Sequence, residues 1–349
     1  MTIDRRSDEL VTPLGVTLTS RQLDAIKRVL ILLVVIGHSK WQHPFYQLIK
    51  GMIYNFHAVL FLVLPFLFAA GPIDLNKIRN RLIRYYVPML WFVGLAFLLK
   101  NFVLDAEPGI SGDDLADLIR SLVIGTGASF NTSAELALFW FLPALFGIFL
   151  WRGVCETFPK WVSYLVYANA LVVFFSLGSH TILQSSPTIA TISLYAMILG
   201  PCVLTIARYT SRITGGFWIG ALGLIACLTL LQVTGRAYNI AKLNLPSAGD
   251  PIVILGYVAT ISFALVSLVG LCKLPQVQRV FAPVGTHSLL IYLSHMFFIV
   301  GAEMALRRAL TGLPDLAFPL SILVAITLAY ATSALIVRFS LTRRLVLPR

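Results

Sequence analysis

Apolar blocks of roughly 17–25 residues, the length a helix needs to cross a hydrocarbon core of about 30 Å, recur through this whole sequence. Inside hydrocarbon every backbone N–H and C=O must be bonded within its own segment, so blocks of this kind fold as helices. Gly, Pro and charge collect between them, as helix ends require. The predicted spans are 25–43, 51–71, 85–104, 136–151, 161–178, 188–207, 216–234, 251–272, 284–304 and 317–337. Composition agrees: 58% of the 349 residues are hydrophobic and 12% are charged, about half the charge of a soluble domain. Too few polar side chains remain to cover a globule of this size. The expected class is an all-α polytopic membrane protein of about ten transmembrane helices.

The net charge of +12 would suggest nucleic acid in a soluble protein. Here it reads as topology, because Lys and Arg collect in cytoplasmic loops, and no nucleic-acid partner is expected. With the N-terminus inside, 19 of the 27 basic residues fall in cytoplasmic segments, among them Arg5, Arg6, Lys77, Arg79, Arg152, Arg208, Arg343 and Arg344. The longest loop, about 105–135, holds Asp105, Glu107, Asp113, Asp114 and Asp117 against Arg120 and falls outside. Both termini are then cytoplasmic.

This divides the chain into a cytoplasmic tail (1–20), one membrane domain (21–340) containing the extracytoplasmic loop (105–135), and a second cytoplasmic tail (341–349). The first twenty residues are polar and lack a cleavage pattern after the first block, so that block is expected to be a retained anchor. No internal repeat and no clearly broken helix pair stands out. Cys155, Cys202, Cys227 and Cys272 sit singly, without CxxC or Cys/His runs, so neither a metal site nor a disulfide framework is expected.

Polar groups within hydrocarbon are expensive and face a cavity or a partner. Lys27 and His38 are eleven residues apart on the first span, close to three turns, so they share one face about 16 Å apart along the axis. Asp24 falls near the same face. His57, in Tyr54-Asn55-Phe56-His57, lies at a comparable depth on the second span, and adjacent antiparallel helices are neighbours; the geometry allows a His38–His57 pair and equally a purely structural packing role for His57. Arg81 and Arg84 are three apart and share a helix face. They suit phosphate oxygens or, equally, anionic lipid. On the ninth span Ser288, Tyr292 and His295 form a stripe at i, i+4, i+7, which either lines a cavity or bonds to a neighbouring helix. His43, His180 and His287 lie near loops and receive no role.

These residues carry a resemblance. Asp24-x-x-Lys27 followed by Ile-Leu-Leu-Val-Val-Ile-Gly37-His38 resembles the first helix of the acyltransferase type 3 family of integral membrane O-acyltransferases, and most of all its fucose 4-O-acetylase-like branch. Phe56-His57 with the apolar run to Gly71, the basic Arg79-to-Pro88 stretch, Leu138-Phe-Trp140-Phe-Leu-Pro143 and Ser288-to-His295 are similar to further helices of that family, in the same order. The sequence departs from the pattern where Lys27 replaces a more common Arg, Arg28 a usual Gly, and Ala69-Ala70 a usual Ser before Gly71.

The resemblance implies transfer of an acyl group, usually acetyl, from cytoplasmic acyl-CoA (acetyl-CoA) to a hydroxyl of a saccharide or glycolipid at a bacterial inner membrane. Lys27, Arg79, Arg81 and Arg84 would hold the CoA phosphates. His38 would act as general base or carry the acyl group covalently, and His57 would orient it, donate to the carbonyl oxygen or serve as a second acid/base. Asp24 would belong to the catalytic group, and Trp140, Tyr292 and His295 would line the substrate cavity. The competing reading is a transporter or flippase using the same histidines as a proton relay.

Overall fold

The computed structural model describes residues 9–11, 17–39, 41, 43–104, 109–134, 137–177, 185–212, 216–236, 238–240, 243–246, 250–281 and 288–347. A short antiparallel hairpin of β1 (Glu9–Val11) and β2 (Thr17–Thr19) leads into α1 (Ser20–His38), α2 (Pro44–Tyr54) and α3 (His57–Val63). Next come α4 (Leu75–Leu99), α5 (Gly112–Ile124), α6 (Gly127–Ala134), α7 (Phe141–Thr157), α8 (Lys160–Ser176), α9 (Thr191–Arg212) and α10 (Gly216–Val233). The chain closes with α11 (Pro251–Leu271), α12 (Pro275–Phe281), α13 (Ser288–Ala309), α14 (Pro314–Arg338) and α15 (Ser340–Val346).

Among the described residues seven helical stretches are long and apolar enough to cross a membrane: Pro44–Leu67, Leu75–Val103, Ala137–Thr157, Thr191–Ser211, Pro251–Leu271, Ser288–Ala309 and Asp315–Arg338. Lys160–Ser176 and Phe217–Val233 are apolar but shorter. Together with α1 these helices correspond in position to the ten predicted spans, but α1, which carries Arg21, Asp24, Lys27 and Arg28, is not among those apolar enough to cross by length and composition. The beginning of the ninth span, residues 284–287 with His287, and the loop residue His180 lie outside the described residues.

The boundaries move where side chains intervene. Thr19 accepts the Gln22 N–H at 3.1 Å while the Gln22 side chain accepts the Thr19 N–H at 2.9 Å, a reciprocal cap that starts α1 at Ser20, ahead of the predicted residue 25. The helix also stops early, at His38, because Ser39 turns extended. The carbonyls exposed there are satisfied from α2: the Tyr46 hydroxyl donates to Ile36 O, and Lys50 Nζ donates to Ser39 O at 2.9 Å. His38 therefore stands at a helix end rather than mid-helix.

The second span is broken, which the sequence reading missed. It starts at Pro44, is interrupted at Asn55–Phe56, and closes in a 3₁₀ turn over Leu64–Leu67 around Pro65. Asn55 holds the break: its amide donates to Gly51 O at 2.9 Å, and its Oδ1 accepts the Tyr238 N–H at 2.8 Å. The loop expected at 105–135 is partly helical. Ser111 caps α5 through Asp114, whose side chain also accepts the Ser111 N–H at 3.0 Å. These bonds from the Ser111 hydroxyl and N–H hold the Asp114 carboxyl below its ordinary value, so their contribution is present above the ordinary carboxylate pKa and is lost as the pH falls through the lowered one.

Close helix contacts rely on small residues, as expected between helices in lipid. A Cβ added at Gly147 of α7 would lie 2.6 Å from Ser193 Oγ and 2.9 Å from the Ile189 backbone. Trp151, one turn on, donates to Ile189 O at 2.7 Å across the same contact. Since the obstacle is backbone, Gly147→Ala is expected to cost about 1–3 kcal/mol. The check is the temperature at which half the detergent-solubilised protein stays monodisperse; an unchanged midpoint would show that the contact yields freely.

Candidate active site

A cavity of about 760 Å³ opens between α1, the second span, α4, α7 and α13, within the size range of small-molecule sites. Its mouth is cationic: Lys27, Lys77, Arg81, Arg84 and Arg152 all line it. Its deep end is apolar, formed by Ile31, Phe61, Phe141, Leu142 and Tyr292 among others.

Local folding explains the mouth. Asp74 caps α4 by accepting the Lys77 N–H at 2.8 Å, which brings the basic stretch into the first turns of a helix. Lys77, Arg81 and Arg84 then follow one another at i, i+4, i+7 along a single face. Arg79 lies outside that stripe and does not line the cavity. Arg81 is held by the Tyr85 hydroxyl at 3.3 Å and lies over the Phe149 ring, 5.4 Å from its centroid. Arg152 reaches across to the second span. It donates to Phe68 O at 2.6 Å and to Pro65 O, and stacks over Phe66 at 4.9 Å. Ile73, just beyond, donates its N–H to Thr157 Oγ1 at 2.8 Å. The segment 68–72 is thus strapped to α7 along the rim of the cavity.

Lys77 and Arg152 are lining cations that sequence reasoning passed over as topogenic charge. The spacing 77/81/84 was a usable signal for Lys77. Arg152 is isolated in sequence and had none. Asp24 does not line the cavity; it pairs with Lys27 at 3.4 Å and lies fourteen residues, about 21 Å of helix, from His38. Its place is beside the Lys27 ammonium, not beside the imidazoles.

Beyond the deep end lies a group of rings. The His38 and His295 rings meet at 5.1 Å, edge to face at 72°. Tyr54 contacts His38 at 6.2 Å and His57 at 5.2 Å, and Tyr292 contacts His295 at 6.0 Å. The imidazole that meets His38 is therefore His295, where the sequence reading allowed His57. Trp140 is 4% exposed and braces Phe141 at 5.8 Å, behind the cavity wall.

All three histidines are bonded alike. Nδ1 of His38 lies 2.7 Å from Val34 O, that of His57 2.7 Å from Ile53 O, and that of His295 2.6 Å from Tyr292 O. A carbonyl oxygen only accepts, so each Nδ1 carries the proton, and each Nε2 presents a lone pair in the neutral ring. His57 and His295 are 2% and 0% exposed, whereas His38 keeps accessible surface. None of the three is among the residues that line the cavity, so His38 is the least enclosed of them without opening into it. Nε2 of His295 is buried without a hydrogen-bond partner among the described residues. Among the described residues no three His, Cys, Asp or Glu side chains are placed to hold a metal ion.

Comparison with known proteins bears on what this arrangement is for. The acyltransferase domain family matches residues 20–338, nearly the whole chain. The chain belongs to that family. Nodulation protein NolL of Sinorhizobium fredii is 25% identical over 299 residues, covering 77% of this chain and 75% of the relative. Nodulation protein NolL of Mesorhizobium japonicum is 28% identical over 180 residues, covering 47% of this chain and less than half, 43%, of the relative. No solved structure matches. The family's matched stretch takes in all five cavity cations, the three central histidines and the broken second span. As a member of that family, with its several apolar helices, the chain is an integral membrane acyltransferase.

Proposed function

We propose that this protein is a membrane O-acyltransferase that moves an acetyl or similarly short acyl group from cytoplasmic acyl-CoA to a hydroxyl of a cell-surface or lipid-linked saccharide. The bacterial inner membrane is its proposed location, and the fucose 4-O-acetylase-like branch its proposed relationship within the family. The observation that carries this reading is a cavity lined by five cations and reaching Tyr292, whose ring contacts His295 of the His38–His295 imidazole pair. Guanidinium and ammonium groups suit the phosphates and diphosphate of CoA. The apolar deep end suits the thioester arm.

In this reading His38 Nε2 takes the proton of the acceptor hydroxyl as its oxygen attacks the thioester carbonyl carbon. The new C–O bond forms, the C–S bond breaks, and the proton passes to the CoA thiolate, giving ester and free CoA. The bond from His38 Nδ1 to Val34 O keeps the lone pair on the reacting nitrogen. His295, in ring contact with His38, is proposed to orient it. Lys27, Lys77, Arg81, Arg84 and Arg152 are the proposed donor-binding residues.

The broken second span beside His57 favours a second reading, since discontinuous helices line transport pathways. Two measurements separate the readings. O-acetyl proton signals of cell-surface glycans are expected to disappear when the protein is removed and to return on its re-expression. Substrate flux in proteoliposomes without acyl-CoA is the transporter's prediction, and flux with unchanged glycan signals would replace our reading by it.

A further inference from the structure

The end of α1 is held against α13 by three kinds of contact. Val35 and Ile299 are buried and pack in one apolar cluster with Ala325. Four residues on along each helix, the Ser39 hydroxyl donates to Glu303 Oε1 at 2.7 Å. The pairs 35/299 and 39/303 therefore share one register. The third contact is the ring pair itself, His38 on His295 at 5.1 Å. Ser39 is 0% exposed and Glu303 5%, and Glu303 lies inside the span Ser288–Ala309. Ser39 is also tied to α2, where its carbonyl accepts Lys50 Nζ at 2.9 Å.

A carboxyl group inside a membrane-crossing helix is costly, and such groups sit at functional positions. An apolar side chain of similar volume would pack as well there at lower cost. What apolar packing does not supply is register. Burial is non-directional, and lipid serves an apolar helix face as well as a neighbouring helix does. Val35 and Ile299 therefore hold the helices together without fixing how far one slides or turns past the other. A directional bond fixes both, and register is the best-attested use of a buried polar pair. We propose that the Ser39–Glu303 bond pins this register, and that Glu303 is thereby a positioning residue for His38. The inference rests on the reading of His38 as general base and adds what holds that base in place. The bond between His38 Nδ1 and Val34 O sets the ring relative to α1. Ser39 is the next residue in the chain, so its bond to Glu303 sets the end of α1 relative to the helix that carries His295. Misplacing a reacting group by about 1 Å costs about 10²-fold in rate.

The experiment titrates labelled acetyl-CoA into inverted membrane vesicles containing the full-length protein and follows label in the glycan and lipid fractions. Rates are divided by the amount of protein that elutes monodisperse after solubilisation, so a variant that merely folds less well is not scored as slow. Ser39→Ala and Glu303→Ala are each expected to lower the maximal rate by about 10–100-fold. The KM for acetyl-CoA is expected to stay within about twofold, because the cavity cations are untouched. The double variant is expected to lose no more than either single one, since the bond can be removed only once. Glu303→Gln keeps an acceptor oxygen for the Ser39 hydroxyl and is expected to recover most of the loss. Maximal rates within about threefold of wild type in both alanine variants overturn the pin. So do losses that multiply in the double variant, a raised KM at an unchanged maximal rate, or a Glu303→Gln variant as slow as Glu303→Ala. Each of these leaves the donor reading intact. Wild type that transfers no acetyl removes the donor reading itself, and the pin with it.

Discussion

His38→Ala is expected to lower acyl transfer by about 10²–10⁴-fold, the range a positioned general acid–base supplies, in a protein that still inserts and elutes as wild type. His38 is the last residue of α1, so its loss removes a side chain at a helix end and leaves the preceding hydrophobic face in place. The readout is labelled acetyl incorporation in vesicles containing equal amounts of protein. His38→Gln is the sharper companion: it retains size and some hydrogen bonding but is no base at neutral pH, and is expected to be as inactive as the alanine variant. His295→Ala and His57→Ala are expected to be milder, since neither ring is accessible to substrate. Transfer by His38→Ala within tenfold of wild type would remove His38 from the chemistry.

The second large effect is expected at the mouth of the cavity. Each hydrogen bond from a charged group to a ligand is worth about 1.5–3 kcal/mol, but Arg84 is solvent-exposed and Arg81 partly so, and screening lowers their share. The lower end of the range applies, about tenfold in the KM for acetyl-CoA from each single Arg→Ala change and up to about a hundredfold from the Arg81→Ala/Arg84→Ala pair. Arg79→Ala is the internal control. That side chain carries the same charge on the same helix but lies off the cavity stripe, so its KM is expected to stay within about twofold. If all three variants behave alike, the cluster acts as a diffuse positive field against anionic lipid, and the donor site lies elsewhere. Rising salt is expected to shrink the difference between wild type and the Arg81/Arg84 pair.

Much of the fold is legible in the residues, and the exceptions have specific causes. Hydropathy finds the apolar helices because burying or lipid-facing an apolar helix is a property of each block taken alone. It misplaces the end of α1 because the decision there is made by Tyr46 and Lys50, which donate to carbonyls of Ile36 and Ser39 from the next helix. It misses the break at Asn55 because the stabilising partner is the Tyr238 N–H, 183 residues away. The cationic stripe on α4 was half visible. Arg81 and Arg84 declared themselves by spacing, while Lys77 joined them only once Asp74 was seen to start the helix ahead of it.

What the sequence alone determined is the all-α membrane class, the series of apolar helices, and the presence of costly imidazoles among them. These follow from local composition, since a residue's transfer into lipid depends little on which helix comes next. Which imidazole meets which, and which cations share a cavity, was decided by tertiary structure. His38 meets His295 across 257 residues of chain, and Arg152 joins the α4 stripe through carbonyls of the second span. Such contacts depend on the order in which ten similar helices pack. Helices of nearly uniform apolarity carry little record of that order, because lipid is as good a solvent for their faces as a neighbouring helix.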